Sequence, residues 1–177
     1  MGSTEPAALQ AKVLEEGADV GIAFDGDGDR LQMVNAKGEL LTGDDVLYVL
    51  AMHRLANGDS DAGIVGTLMT NMGLELALQE SGLRLARAKV GDRYVKELMV
   101  AEGWSLGGES SGHIICGDLS TTGDGVIAAL QVLAAVRASG KSLEALTSGF
   151  NPLPQVLVNV RITKGFDLSA HPTIAEA

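Results

Sequence analysis

Residues 22–34, IAFDGDGDRLQMV, set Asp25, Asp27 and Asp29 two apart, separated by Gly26 and Gly28 and followed by Arg30. In an extended segment, residues i, i+2 and i+4 project to one side, so the three carboxylates converge and their like charges repel. A hard divalent cation turns that repulsion into shared attraction. Mg²⁺ in particular is held by a few carboxylates, with water or phosphate oxygens in its remaining positions. The two glycines allow a sharp backbone path and leave room for a ligand. Arg30 beside the ion favours a phosphate over a neutral group. The plain alternative is a solvated Asp-Gly turn. A calcium loop of the EF-hand kind would need Gly in sixth place and Glu in twelfth, where this chain has Arg30 and Ala36.

A second cluster is GGESSGH, residues 107–113. Gly108, Ser110 and Gly112 match the G-x-S-x-G nucleophile elbow, but an elbow needs a helix directly after its serine. Here HIICGD follows, which reads as strand and turn, and the only later histidine is His171. Recognition of a sugar suits the residues better: Glu109 and Ser111 can hydrogen-bond neighbouring hydroxyls. His113 is a candidate for proton transfer, because a histidine exchanges protons near neutral pH. A third segment, KVGDRYV at 89–95, is a strand-to-helix turn where amides, Lys89 and Arg93 could approach an anion. An ordinary helix start with Asp92 as its cap explains it equally well. TTGDG at 121–125 is similarly open, with Asp124 read first as a cap.

The elements that must position these groups follow from periodicity and punctuation. EPAALQAKVLEE (5–16) reads as a helix opened by Pro6 and stopped by Gly17. DVGIAF delivers a strand into the aspartate loop, LQMVN is the next strand, and AKGE turns the chain towards a helix at about 44–56. Beyond it, strand and helix alternate. AGIVGTL, LRLARAKV, WSLGG and HIIC are strands, while TNMGLELALQES, DRYVKELMVAEG and a long apolar run capped near Thr122 and ended by Gly140 are helices. Short connections between alternating strands and helices imply an α/β fold, a mostly parallel or mixed sheet layered with helices. The tail breaks the rhythm: 150–154 reads as a linker and 155–163 as an opening strand.

Composition narrows the function. The 177 residues suffice for a substantial core. With 13 basic against 23 acidic residues, a net −10, nucleic acid and anionic membrane surfaces are poor partners. The single cysteine, Cys116, excludes an intrachain disulfide and fits a reducing compartment, the cytoplasm. No run approaches the roughly 18 apolar residues of a membrane helix, and the N-terminus has no signal-peptide layout.

With both clusters in view, the chain resembles the phosphohexomutase superfamily and, within it, the bacterial phosphoglucosamine mutases. GIAFDGDGDR is similar to the family's metal loop and GGESSGH to its sugar-binding loop. GTLMTNMGLE, AKVGDRYV, TTGDG and PQVLVNVR match further segments in order. The resemblance implies Mg²⁺ on Asp25, Asp27 and Asp29, with Arg30 near the phosphate. It also implies sugar hydroxyls on Glu109 and Ser111, a substrate-side loop at Asp92 and Arg93, and proton transfer by His113. Enzymes of this kind interconvert glucosamine 6-phosphate and glucosamine 1-phosphate through a phosphoserine and a bisphosphorylated intermediate, on the way to UDP-N-acetylglucosamine and cell-wall precursors. Neither the phosphoserine loop, of TASHNP type, nor the C-terminal phosphate loop, of RxSGTEP type, has a counterpart here. The expectation is a middle section that needs the missing domains of its parent chain and is inactive alone. It would comprise the end of a second domain (1–41), a whole third domain (42–150), and a linker with the start of a fourth (151–177). The rival expectation is a metal-dependent phosphatase with Asp25 as nucleophile, although Asp29 stands where D-x-D-x-T/S enzymes of that kind have a hydroxyl residue.

Overall fold

The computed structural model describes residues 5–59, 61–159 and 161. Helix α1 (Pro6–Glu16) leads into strands β1 (Val20–Phe24), β2 (Leu31–Asn35) and β3 (Leu40–Leu41). Helix α2 (Gly43–Asn57), β4 (Gly63–Thr67), α3 (Met72–Glu80), β5 (Arg84–Ala88), α4 (Asp92–Glu102), β6 (Leu106–Gly108) and β7 (Ile114–Cys116) then alternate, before α5 (Gly125–Ser139) and α6 (Leu143–Thr147) close the series. The described residues form two sheets. β1, β2 and β3 form an antiparallel ribbon, and the second sheet runs β5-β4-β6-β7, parallel except for the antiparallel β6–β7 pair. The fold is thus α/β with a mixed sheet, as the alternation implies.

Helix boundaries follow from local chemistry. α2 opens with a reciprocal capping box: the Thr42 hydroxyl accepts from the Asp45 amide, and the Asp45 carboxylate accepts from the Thr42 amide at 2.8 Å. Left-handed glycines stop α1, α2, α4 and α5 at Gly17, Gly58, Gly103 and Gly140. α5 begins two residues later than a Thr122 cap would place it. Asp124 is the cap, because its carboxylate reaches the Ile127 amide at 2.9 Å. The short α6, capped by Ser142, lies beyond Gly140, where the periodicity ends the long helix and predicts no further element before the linker.

Alternation along the strands splits the core between the faces of the second sheet. Ile64, Leu106 and Ile114 point towards α2, α3 and α5, whereas Val65 and Ile115 point towards α4 with Met99 and Trp104. The first core also takes in Leu31 and Met33 of β2 and Leu41 of β3, so the ribbon and the sheet share one apolar interior, with α2 between them. Ala128, Ala129 and Ala135 on α5 are small enough for α5 to lie close to α2 and β2. Arg54 fastens the far end of α2 to Ser105 and Asp118, both at 2.6 Å. Among the described residues no helix is long and apolar enough to cross a membrane.

The segment after α6 is clamped rather than woven in. Asn71, the cap of α3, accepts from the Leu153 amide at 2.9 Å and donates to the Leu153 carbonyl at 2.8 Å. Residues 155–159 form no strand, and Val156, Leu157 and Val158 are exposed. A strand needs a neighbour for its amides, and among the described residues none reaches this run. The rest of the expected 155–163 strand, apart from Arg161, lies outside the described residues.

Two contacts fix how the β6–β7 connection meets the ribbon. The Leu31 amide donates to the Gly112 carbonyl at 3.0 Å, and Gly43 donates to the Ser110 carbonyl at 2.9 Å. Gly112 has φ +96°, and a Cβ there would strike the Leu31 carbonyl. Gly112→Ala is expected to lower stability by about 1–3 kcal/mol, read from urea unfolding. Asp44, in the first turn of α2, is buried and accepts from the Asn71 amide at 2.8 Å. Burial raises its carboxyl above the ordinary 3.8, only partly opposed by that amide. The folded state therefore binds the proton more tightly than the unfolded chain, and stability is lost as pH rises through the raised pKa. Asp44→Asn keeps the acceptor without the charge. It should remove that pH slope and be at least as stable as the wild type at about pH 7 in urea titrations. An Asn variant weaker only above that raised pKa would show that the charge itself is needed.

Candidate metal and sugar-phosphate site

The aspartate loop is the connection between β1 and β2, so an antiparallel pair locked in register from Val20–Asn35 to Phe24–Leu31 holds both its ends. Within it, side-chain oxygens of Asp25, Asp27 and Asp29 lie within 4.8 Å of one another. Carboxylate oxygens gathered this closely are the hard oxygen donors that Mg²⁺ takes, so the donor set suits this ion. Only one of the two glycines is conformationally required: Gly28 has φ +76°, whereas Gly26 has no positive φ and open space around its Cα.

Arg30 supports the loop in two ways. Its amide donates to Asp25 Oδ1 at 3.1 Å, and its guanidinium Nε lies 3.9 Å from Asp25 Oδ2. Burial pushes the Asp25 carboxyl up, but the Arg30 amide, a hydrogen bond with Asp29 and the Arg30 charge together hold it below its ordinary value. The Arg30 side chain remains half exposed, free to turn towards an anion beside the loop.

The β6–β7 connection brings the second cluster against the first. Arg30 and His113 form an isolated antiparallel bridge, and His113 Nδ1 lies 3.1 Å from Asp29 Oδ2. The imidazole is buried, and among the described residues its Nε2 has no hydrogen-bond partner. The backbone turns tightly here: Glu109 donates to the His113 carbonyl and Gly112 to the Glu109 carbonyl. Ser110 leads into a bridge and strand β7 rather than a helix, which removes the structural condition for a nucleophile elbow. Ser111 is exposed and Glu109 half-buried.

The KVGDRYV turn joins the same neighbourhood through its backbone. The Gly91 amide at the head of α4 donates to Glu109 Oε1 at 2.9 Å. Asp92 accepts from its neighbour's amide, and Arg93 pairs with Glu97 at 2.8 Å with both side chains exposed. Only the Gly91 amide is therefore joined to the serine loop, while the Asp92 and Arg93 side chains face solvent. TTGDG holds two residues that residue chemistry alone passes over. The Gly125 amide donates to the Gly28 carbonyl in the aspartate loop at 2.9 Å, and Gly123 lies against the His113 ring. Their signal was the recurrence of glycine in a segment whose capping needs only Asp124.

Comparison with known proteins places these features in a family. Residues 42–153 match the family model for the phosphoglucomutase/phosphomannomutase α/β/α domain III. The phosphoglucosamine mutase of Aeromonas hydrophila is 60% identical over 167 residues, covering 94% of this chain and 38% of the relative. This chain thus spans about two-fifths of the length of the curated relatives it matches. A phosphoglucomutase/phosphomannomutase family protein from Burkholderia thailandensis superposes with a TM-score of 0.72 at 29% identity, over 85% of this chain and 33% of that one. The N-acetylphosphoglucosamine mutase of Aspergillus fumigatus, solved with GlcNAc-6P and magnesium, shares the fold with a TM-score of 0.67 at 18% identity, over 80% of this chain and 37% of its own. The chain belongs to the phosphoglucomutase/phosphomannomutase family, and the match lies in its α/β/α domain III.

Proposed function

We propose that the chain is the metal-binding and sugar-binding section of a cytoplasmic phosphoglucosamine mutase that interconverts glucosamine 6-phosphate and glucosamine 1-phosphate. The observation that carries this reading is the convergence of Asp25, Asp27 and Asp29, locked by the bridge at His113 against the loop bearing Glu109 and Ser111. Identity of 60% to a phosphoglucosamine mutase supports the amino sugar over glucose or mannose. In this reading residues 1–41 end a second domain, 42–150 form the third, and 151–177 begin the fourth.

Asp25, Asp27 and Asp29 would hold Mg²⁺, which when bound supplies Lewis-acid stabilisation to a phosphoserine contributed by another part of the parent enzyme. Arg30, on the solvent side of Asp25, would pair with a phosphate oxygen as charge builds on the transferred group. Glu109 and Ser111 would hydrogen-bond sugar hydroxyls, with Glu109 aimed by the Gly91 amide. Asp92 and Arg93 would line the solvent side of the same cleft. The phosphoryl group passes from the serine oxygen to the free substrate hydroxyl, giving a bisphosphate. The sugar then returns its other phosphoryl group to the serine, so no net phosphate is consumed.

Full-length parent enzyme supplied with glucosamine 6-phosphate, Mg²⁺ and the 1,6-bisphosphate should turn over, while this chain alone should be silent. Asp27→Asn in the parent should cut kcat by more than about 100-fold, since Lewis-acid stabilisation is worth several kcal/mol and each ~1.4 kcal/mol is tenfold in rate. Hydrolysis of an aryl phosphate by this chain, abolished by Asp25→Asn, would instead establish the phosphatase reading.

A further inference from the structure

We propose that Gly125, the first residue of α5, is a positioning residue for the metal loop, its amide and its bare Cα setting how the backbone runs from Asp25 to Asp29. The inference rests on the metal reading of Asp25, Asp27 and Asp29. This one residue meets the loop at three places. Its amide donates to the Gly28 carbonyl at 2.9 Å. A Cβ at 125 would stand 2.9 Å from that same oxygen, 2.9 Å from Phe24 Cδ1 and 3.0 Å from the Arg30 carbonyl oxygen. Phe24 precedes the first aspartate, Gly28 lies between the last two and Arg30 follows the last, so the contacts span the loop from entry to exit.

The hydrogen bond acts where the loop turns. Gly28 is left-handed, with φ +76°. Its carbonyl shares a planar peptide unit with the Asp29 amide, so fixing the carbonyl fixes the plane from which Asp29 departs. Gly125 is itself held by rigid parts. Asp124 caps α5 through the Ile127 amide at 2.9 Å, and its own amide meets the Ile114 carbonyl of β7 at 3.4 Å. Ala128, Ala129 and Val132 then bury the following turns in the core that holds Leu31 and Met33. The aspartate loop lies outside residues 42–153, the part that matches domain III, whereas Gly125 lies within it. The spacing of the three carboxylates is thus gauged from a neighbouring part of the chain. A side chain at 125 would press on two backbone carbonyl oxygens, which cannot swing aside as the tip of a side chain can, and the loop would have to shift.

The test is Mn²⁺ binding to this chain followed by electron paramagnetic resonance, with thermal melts as a check on folding. Gly125→Ala is expected to weaken Mn²⁺ by about 10–100-fold, the range for groups that orient metal ligands from outside. Gly66→Ala in β4 is the control, because a Cβ there crowds Thr70 and Leu85 instead of the loop. It should lower the melting temperature and bind Mn²⁺ like wild type. Wild-type affinity in the Gly125 variant, or equal weakening in the Gly66 variant, overturns the positioning role. Should Gly125→Ala fail to fold, amide hydrogen exchange of the wild type with and without Mg²⁺ decides. Coupling between sites is reciprocal, so the ion must then slow exchange at Gly125. The slowing must exceed that at Trp104, whose amide donates to the Met99 carbonyl in the second core. Equal slowing at both amides, or none at Gly125, overturns the proposal. Wild-type protein that binds no Mn²⁺ overturns the metal reading itself, a failure seen before any variant is made.

Discussion

Mutual repulsion among three carboxylates is the constraint around which this structure is arranged. Without an ion, Asp25, Asp27 and Asp29 gain nothing by standing close, so the surrounding chain must hold them there at some cost. The antiparallel β1–β2 pair brings the two ends of the loop together, Gly28 takes the backbone through a left-handed turn, and the Arg30 amide satisfies one oxygen of Asp25. The remaining restraints come from outside the ribbon, at Gly112, His113 and Gly125. An ion arriving at such a loop meets ligands already collected, and less of its binding energy is lost to ordering them.

Those outside restraints exist because the ribbon and the second sheet share an interior. Leu31, Met33 and Leu41 pack with α2 and α5 in the same cluster as Ile64 and Ile114. The polar contacts at the loop are thus the rim of an apolar contact that fixes the two parts in register. Alanines on α5 make the close approach feasible, and the head of α5 is where the aspartate loop is met. Packing, more than hydrogen bonding, sets the distances at the site.

Much of this was legible in the residues. The spacing of the aspartates gave their convergence, glycines marked the helix ends, and Thr42 with Asp45 announced α2. What periodicity cannot convey is pairing. That β1 and β2 form a ribbon apart from the parallel strands, and that β7 runs against β6, depend on which apolar faces meet, a property of the assembled core. The same limit explains His113. Its residue type suggests proton exchange, whereas its burial beside Asp29 and against Gly123, 10 residues further along, is not written in the GGESSGH motif. The strand expected at 155–163 is absent over the described residues 155–159 for a related reason: Val156, Leu157 and Val158 have strand-forming chemistry but meet no partner edge among the described residues.

The clamp at Asn71 gives that exposed run a mechanical meaning. Asn71 grips Leu153 from both sides of its peptide backbone, and Gln155 reaches the Met69 carbonyl at 3.2 Å, so the chain is anchored up to that point. The anchor belongs to the same first turns of α2 and α3 that lie beside Ser110, because Asp44 joins them. The run from Val156 to Asn159 therefore leaves the body from a fixed origin next to the serine loop, and its apolar side chains stand in solvent there, outside the core.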